Sequence, residues 1–149
     1  MEKEQTLIII KPDGVKKKLA GECLKRFEKA GFEIIALKIA KLKKPFMKEF
    51  YKHLKLKLRL RLFNAIVDYM CSGKVVIAII EGKNAISKTR KICGPTNPKE
   101  ALKGTIRGDF ATDDLVTRAK QNQATRNVIH ASGSKQESRD EINMIKKIL

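Results

Sequence analysis

His130 offers the most distinctive chemistry in this chain, because imidazole titrates near neutral pH and is a competent phosphoryl acceptor. It lies in the segment 127–132, Asn-Val-Ile-His-Ala-Ser, and is one of only 2 histidines. A histidine alone is more often a packed structural residue than a nucleophile. Residues elsewhere in the chain must therefore decide between the two roles.

Two arginines could bind an anion beside this histidine. Arg90 lies on the helix predicted after the third strand, and Arg107 lies in the glycine-containing segment 104–110. A guanidinium group matches phosphate oxygens in pairs, which a lysine cannot do. For Arg90, a solvated helix face is the alternative. The chain has no Gly-x-x-x-x-Gly-Lys-Ser/Thr segment, which argues against a P-loop enzyme.

The composition points to phosphate-bearing partners. The formal net charge of +17 favours nucleotides, nucleic acid or anionic lipid, while 42% apolar residues predict a folded core. We expect one domain over residues 1–149 and no membrane span, since no apolar run is long enough. The 3 cysteines are widely spaced and form no ligand pair. They predict reduced thiols, a cytoplasmic location and no zinc site.

The elements that must position these residues follow from the apolar pattern. We predict strands over residues 5–10, 32–40, 75–80 and 128–129, and helices over residues 21–30, 45–70 (as two helices), 85–93 and from a Ser134 cap to Ile148. Residues 94–126 are predicted to form a long loop.

This order of elements predicts an α+β fold. We expect a ferredoxin-like, four-stranded antiparallel sheet with helices packed on one face. In the second strand, the period of two places Phe32, Ile34 and Ala36 on one face of the sheet.

Five short segments follow one another in a specific order. They are Thr-Leu-Ile-Ile-Ile-Lys-Pro-Asp-Gly-Val at 6–15, Gly-Pro-Thr-Asn-Pro at 94–98, Gly-Thr-Ile-Arg-Gly-Asp-Phe at 104–110, Asn-Val-Ile-His-Ala-Ser at 127–132 and Glu-Ile at 141–142. Each is weak alone. Together, over about residues 4–144, they resemble the nucleoside diphosphate kinase family.

The resemblance implies a ping-pong phosphoryl transfer. A nucleoside triphosphate such as ATP would phosphorylate His130, and a nucleoside diphosphate would take the group back. Glu141 would accept a hydrogen bond from the other ring nitrogen of His130. Lys11 and Asn127 would bond the sugar hydroxyls, with Lys11 also near the transferred phosphate.

The resemblance also implies the remaining binding partners. Arg90, Thr96 and Arg107 would hold phosphate oxygens, and Tyr51 and Ser132 would lie beside the histidine. Mg²⁺ would be bound with the nucleotide phosphates, without a protein-held metal site. Members of the family assemble as hexamers or tetramers, so a homo-oligomer is expected.

Residues 55–62, Lys-Leu-Lys-Leu-Arg-Leu-Arg-Leu, depart from the family, where a shorter segment is usual. Leu62 aligns with the aromatic residue that stacks on the nucleotide base, and Phe63 is the alternative. As a strand, this run would place four cations on one face, as in a non-catalytic nucleotide- or nucleic-acid-binding protein of the same fold. The other interpretation is a distorted helix end with its leucines in the core.

Residues 111–126 form a second departure, since this segment is also longer than in most members. Its polar side chains, among them Asp113, Asp114 and Arg118, are expected to be exposed and mobile.

Overall fold

A sheet of four antiparallel strands forms the centre of the computed structural model, which describes residues 3–149. The strands are β1 (Glu4–Ile10), β2 (Glu33–Ala40), β3 (Val75–Gly82) and β4 (Ile129–Ala131). Their order across the sheet is β2-β3-β1-β4. The predicted ferredoxin-like sheet is therefore confirmed.

The helices connect these strands and extend into the segment that was predicted to be a loop. They are α1 (Pro12–Lys16), α2 (Ala20–Lys29), α3 (Lys44–Phe50), α4 (Lys52–Lys55), α5 (Leu60–Met70), α6 (Ala85–Cys93), α7 (Ile106–Phe110), α8 (Leu115–Lys120) and α9 (Lys135–Ile145). Residues 45–70 thus form three helices rather than two, and α9 stops before Ile148. None of the helices in residues 3–149 has the length and apolar character that crossing a membrane requires.

Helices cover both faces of the sheet, so the expectation of one covered face is wrong. Ile8 and Ile10 of β1 pack on the side of α2 and α6, while Leu7 and Ile9 pack on the side of α3, α5 and α9. All four side chains are fully buried. A strand that is apolar on both sides needs a layer of helices on each.

A β-bulge in β2 overturns the predicted face of that strand. The register with β3 shifts between Ile34 and Ala36, where Ile35 is the extra residue. As a result, Ile34 packs on the side of α2, whereas Ala36 packs on the opposite side of the sheet. Beyond the bulge, Leu37 and Ile39 are 54% and 65% exposed.

The segment 94–126 contains two short helices and one 3-10 turn rather than a single loop. The hydroxyl of Thr105 caps α7 by accepting a hydrogen bond from the Gly108 amide at 3.0 Å, and Asp114 caps α8. Both helices are too short to show apolar periodicity in the sequence. Caps and tertiary contacts, not periodicity, stabilise them.

Candidate active site

A cavity of about 350 Å³ lies where the ends of β1 and β4 meet α6 and the segment that follows α7. Eight of the ten site residues predicted from the sequence line it: Lys11, Tyr51, Leu62, Arg90, Thr96, Arg107, Asn127 and His130. Of the other two, Glu141 contacts His130, and Ser132 contacts Glu141. A larger groove of about 660 Å³ beside the start of β1 contains none of the ten.

Glu141 holds one nitrogen of the His130 ring. Its Oε1 lies 2.8 Å from Nε2 of His130 and accepts a 2.8 Å hydrogen bond from the Ser132 hydroxyl. Burial by itself raises the pKa of the Glu141 carboxyl, but the charge of His130 and the bonds from His130 and Ser132 bring this pKa below its usual value. Because an ionised carboxylate can only accept, Nε2 carries the proton of this bond, and in the neutral imidazole the lone pair is then on Nδ1.

Aromatic rings orient His130 from the α3 side. Phe50 and Tyr51 meet the imidazole edge to face, with ring centroids 5.3 and 5.8 Å from it. The Tyr51 hydroxyl lies 3.5 Å from Nδ1. Burial raises the pKa of Tyr51, so its phenol remains protonated. Nδ1 is thus the ring nitrogen that Glu141 leaves unbonded, and its neighbour Tyr51 lines the cavity together with His130.

A tight turn at Val128 carries His130 into position. Val128 has φ +72°, a rare value for a β-branched residue, and the Ile129 amide donates to the Asn127 carbonyl at 2.8 Å. This is a γ-turn with a positive central φ, which is strained. The prediction that Val128 belongs to the last strand is therefore wrong, and β4 begins one residue later.

The Lys-Pro-Asp-Gly segment after β1 stabilises this turn. The Lys11 amide donates to the Val128 carbonyl at 2.8 Å, and Oδ2 of Asp13 accepts from the Val128 amide at 3.0 Å. At Gly14, an added Cβ would stand 2.9 Å from the Val128 oxygen. Asp13 and Gly14 were not predicted as site residues, although the motif that carries the family resemblance contains both.

Lys11 and Asn127 lie side by side in the cavity wall. The Lys11 ammonium donates to Oδ1 of Asn127 at 2.8 Å, and Nδ2 of Asn127 donates to the Thr96 carbonyl at 2.9 Å. Burial lowers the pKa of Lys11 to about 8, with the nearby positive charge of Arg107 adding to the effect and Asp13 opposing it. The structure therefore brings together a lysine and an amide as the sequence predicted.

The two predicted phosphate-binding arginines differ in their surroundings. Arg107 is buried, and its guanidinium donates to the backbone carbonyls of Gly94 at 2.7 Å, Ile129 at 2.6 Å and Asn127 at 3.3 Å. This structural role could not be predicted from local sequence, because these carbonyls lie 13 to 22 residues away along the chain. Arg90 is exposed and makes one long contact, 3.5 Å, to the Ala131 carbonyl.

The opposite end of the cavity is aliphatic. It is lined by Leu54, Leu58, Leu62, Ile66, Leu115, Ala119 and Ala124. Phe63, the alternative to Leu62, is buried in the core between the sheet and α5 and does not line the cavity. The cavity thus has a cationic end beside His130 and an apolar end beside Leu62.

The run 55–62 is not a strand. Lys55 ends α4, a turn follows, and Leu60 begins α5. The alternative in which a strand places four cations on one face is therefore wrong, and with it the observation that supported a nucleic-acid-binding function. The helix-end interpretation is also only partly right, since Leu56 and Leu60 are 92% and 62% exposed.

Known proteins are similar to this chain in both sequence and fold. The family model described as nucleoside diphosphate kinase matches residues 4–147. The nucleoside diphosphate kinase of Methanocaldococcus jannaschii is 43% identical over 145 residues, which span 97% of this chain and 94% of that protein. Nucleoside diphosphate kinase 1 of Arabidopsis thaliana is 46% identical over 139 residues, 93% of this chain and 85% of that protein.

Two solved structures are also similar. The Borrelia burgdorferi nucleoside-diphosphate kinase, a transition state mimic with bound vanadate and ADP, superposes with a TM-score of 0.90 at 32% identity and covers 95% of this chain and 86% of that one. An NDP kinase from Pyrobaculum aerophilum gives a TM-score of 0.85 at 33% identity, with coverage of 96% and 95%.

The Arg107 bonds predict a large effect on stability. Arg107→Lys keeps the charge but cannot reach three carbonyls, so we expect the free energy of unfolding to fall by about 2–4 kcal/mol in urea denaturation. The matched control Arg90→Lys, on an exposed side chain, should change it by less than about 0.5 kcal/mol. Equal losses in the two variants would contradict this role of Arg107.

Proposed function

The chain belongs to the nucleoside diphosphate kinase family, and we propose that it transfers the terminal phosphoryl group of a nucleoside triphosphate to a nucleoside diphosphate through a phosphohistidine at His130. One observation carries the assignment of this residue. Nε2 of His130 is 2.8 Å from the Glu141 carboxylate, which leaves Nδ1 as a nucleophile in a cavity with a cationic wall. We propose that residues 1–149 act as one domain for this reaction.

The transfer consists of two matched half-reactions. The Nδ1 lone pair of His130 attacks the terminal phosphorus, the bond to the bridging oxygen breaks, and a nucleoside diphosphate leaves with that electron pair. The proton stays on Nε2, so the phosphorylated ring is a cation. Ionised Glu141, held by the Ser132 hydroxyl, stabilises this cation. A second diphosphate then attacks the same phosphorus, and Nδ1 leaves.

The cationic end of the cavity suits the nucleotide phosphates. Arg90 is free to form paired bonds to phosphate oxygens, while Arg107 retains guanidinium N–H groups beyond its three carbonyl bonds. Thr96 lines the same cavity and has a hydroxyl that can donate to phosphate, and Lys11 with Asn127 offers donors and an acceptor to sugar hydroxyls. The Leu62 end accepts the base by apolar contact.

The donor set indicates how Mg²⁺ would take part. Glu137 is the one carboxylate among the described residues that line the cavity, and it already accepts from the Gly133 amide at 2.8 Å. A magnesium site prefers oxygen ligands that include carboxylates. We propose that Mg²⁺ arrives on the nucleotide phosphates and neutralises part of their charge.

Assembly into a homo-oligomer, a hexamer or tetramer, is a further part of the proposal. β2 is an outer strand of the sheet. It exposes an apolar row, Ile35, Leu37 and Ile39, at 41%, 54% and 65%. A free edge with exposed apolar side chains favours pairing with a second copy.

A cytoplasmic location completes the proposal. Cys23, Cys71 and Cys93 are free thiols, which are typical of a reducing compartment. Cell fractionation followed by detection of the chain measures this directly, and recovery outside the cytoplasmic fraction would contradict it.

The phosphohistidine predicts an acid-labile and base-stable label. Protein incubated with terminally labelled ATP should gain this label, and His130→Asn should abolish it because the amide cannot act as the nucleophile. The matched control is His53→Asn, which alters the second histidine of the same cavity and should retain labelling. A folded wild-type protein that takes no label would overturn the proposed function.

The pKa of Lys11 predicts a pH dependence. The ammonium is charged below about pH 8 and neutral above it. Since the charged form binds phosphate and sugar oxygens more strongly, kcat/KM should fall as pH rises through this value. Lys11→Gln should lower kcat/KM and abolish its fall at alkaline pH. Lys16→Gln, at an exposed lysine, should retain that fall. If kcat/KM of Lys11→Gln still fell at alkaline pH, the titrating group would be another residue.

The exposed row of β2 predicts the effect of one charge on assembly. Leu37→Lys should lower the mass measured by sedimentation equilibrium, because a buried unpaired ammonium opposes association. Val116→Lys, at an exposed apolar residue of α8, serves as the control and should leave the mass unchanged. A monomeric wild type, or an unchanged mass for Leu37→Lys, would contradict assembly through this strand.

A further inference from the structure

The two segments that depart from the family contact each other. Arg59, in the turn between α4 and α5, donates from Nη2 to the Ala119 carbonyl of α8 at 2.6 Å. Within residues 3–149, this is the only hydrogen bond between segment 55–62 and segment 111–126. The two additions to the chain thus form one structural unit rather than two independent surface loops.

Both segments supply the walls of the apolar end of the cavity. Leu58 and Leu62 come from the first segment, Leu115 and Ala119 come from the second, and all four line the cavity. Arg59 stands next to Leu58 and bonds the carbonyl of Ala119. The Arg59 bond therefore connects the two segments that supply these lining residues.

The α8 segment is well bonded on its other side. The Arg118 guanidinium donates to the Ala124 carbonyl at 3.1 Å and lies 3.3 Å from the Asp113 carboxylate. Asp114 accepts from the Asn97 side chain at 3.1 Å. Asp113, Asp114 and Arg118 are therefore half-buried and bonded, which corrects the expectation that they are exposed.

We propose that Arg59 is a positioning residue that holds α8 against the α4–α5 turn and so completes the slot for the nucleotide base. The inference rests on the proposed function, since it assigns the base to the Leu62 end of the cavity. A guanidinium at the C-terminal end of α8 is favoured by the exposed carbonyls and dipole there.

Preorganisation of α8 is the physical reason why Arg59 should strengthen nucleotide binding. Leu62 offers the base an aliphatic contact where the family has an aromatic one, so the opposite wall carries more of the contact. With Arg59 in place, α8 is already positioned before the nucleotide arrives, and binding does not have to order it. Without Arg59, part of the binding free energy is used to position α8.

The test compares two arginines that lie two residues apart. Arg59→Ala should raise the KM for ADP by about 3- to 10-fold and change kcat by less than about 2-fold, as expected for one lost charge-assisted hydrogen bond. Arg61→Ala removes the same charge from an exposed position of α5 and should leave both constants unchanged. Arg59→Lys, which can still donate to the carbonyl, should restore part of the affinity.

A diphosphate acceptor that lacks a base distinguishes the loss of base binding from a general loss of activity. The preference for ADP over ribose 5-diphosphate, measured as the ratio of their kcat/KM values, should fall in Arg59→Ala and remain unchanged in Arg61→Ala. Equal losses for both acceptors, a KM no different from that of Arg61→Ala, or a lower KM would each overturn the inference. An inactive, unlabelled wild type would instead refute the proposed function.

Discussion

The buried guanidinium of Arg107 is the interaction on which the site depends most. A buried cation must find acceptors, and this one takes the carbonyls of Gly94, Asn127 and Ile129. Gly94 ends α6, which carries Arg90, and the other two carbonyls flank the turn before His130. One side chain therefore joins the end of the helix that carries Arg90 to the segment that carries His130.

The turn at Val128 shows how backbone strain is retained at this site. Val128 occupies a backbone region that its branched side chain disfavours, yet the turn places the amide of Asn127 and the ring of His130 on one cavity. Lys11 and Asp13 bond both polar groups of the Val128 backbone, which offsets the strain. Part of the Lys-Pro-Asp-Gly segment thus supports the geometry of the turn, while Lys11 itself lines the cavity.

Some elements could be predicted from the sequence and others could not, for physical reasons. β1, β3 and α6 were found close to their observed bounds, because long apolar runs and a glycine stop are local signals. The bulge at Ile35 was not predicted, because an extra residue in one strand can be recognised only from the pairing with the neighbouring strand. Helices α7 and α8 were missed because caps and long-range bonds, not periodicity, stabilise them. Among the site residues, eight were brought to one cavity, but the carbonyl bonds of Arg107 were not foreseen.

The sequence alone determined which residue types are available and in what order: one histidine in a family-like segment, an acid in the last helix, and a basic set suited to phosphate. Only the tertiary structure decided which atom of His130 is free, that Leu62 rather than Phe63 faces the cavity, and that Arg59 reaches Ala119. The reason is physical. Residue types and local periodicity follow from neighbours along the chain, whereas hydrogen bonds and cavity walls join residues that are far apart in the sequence.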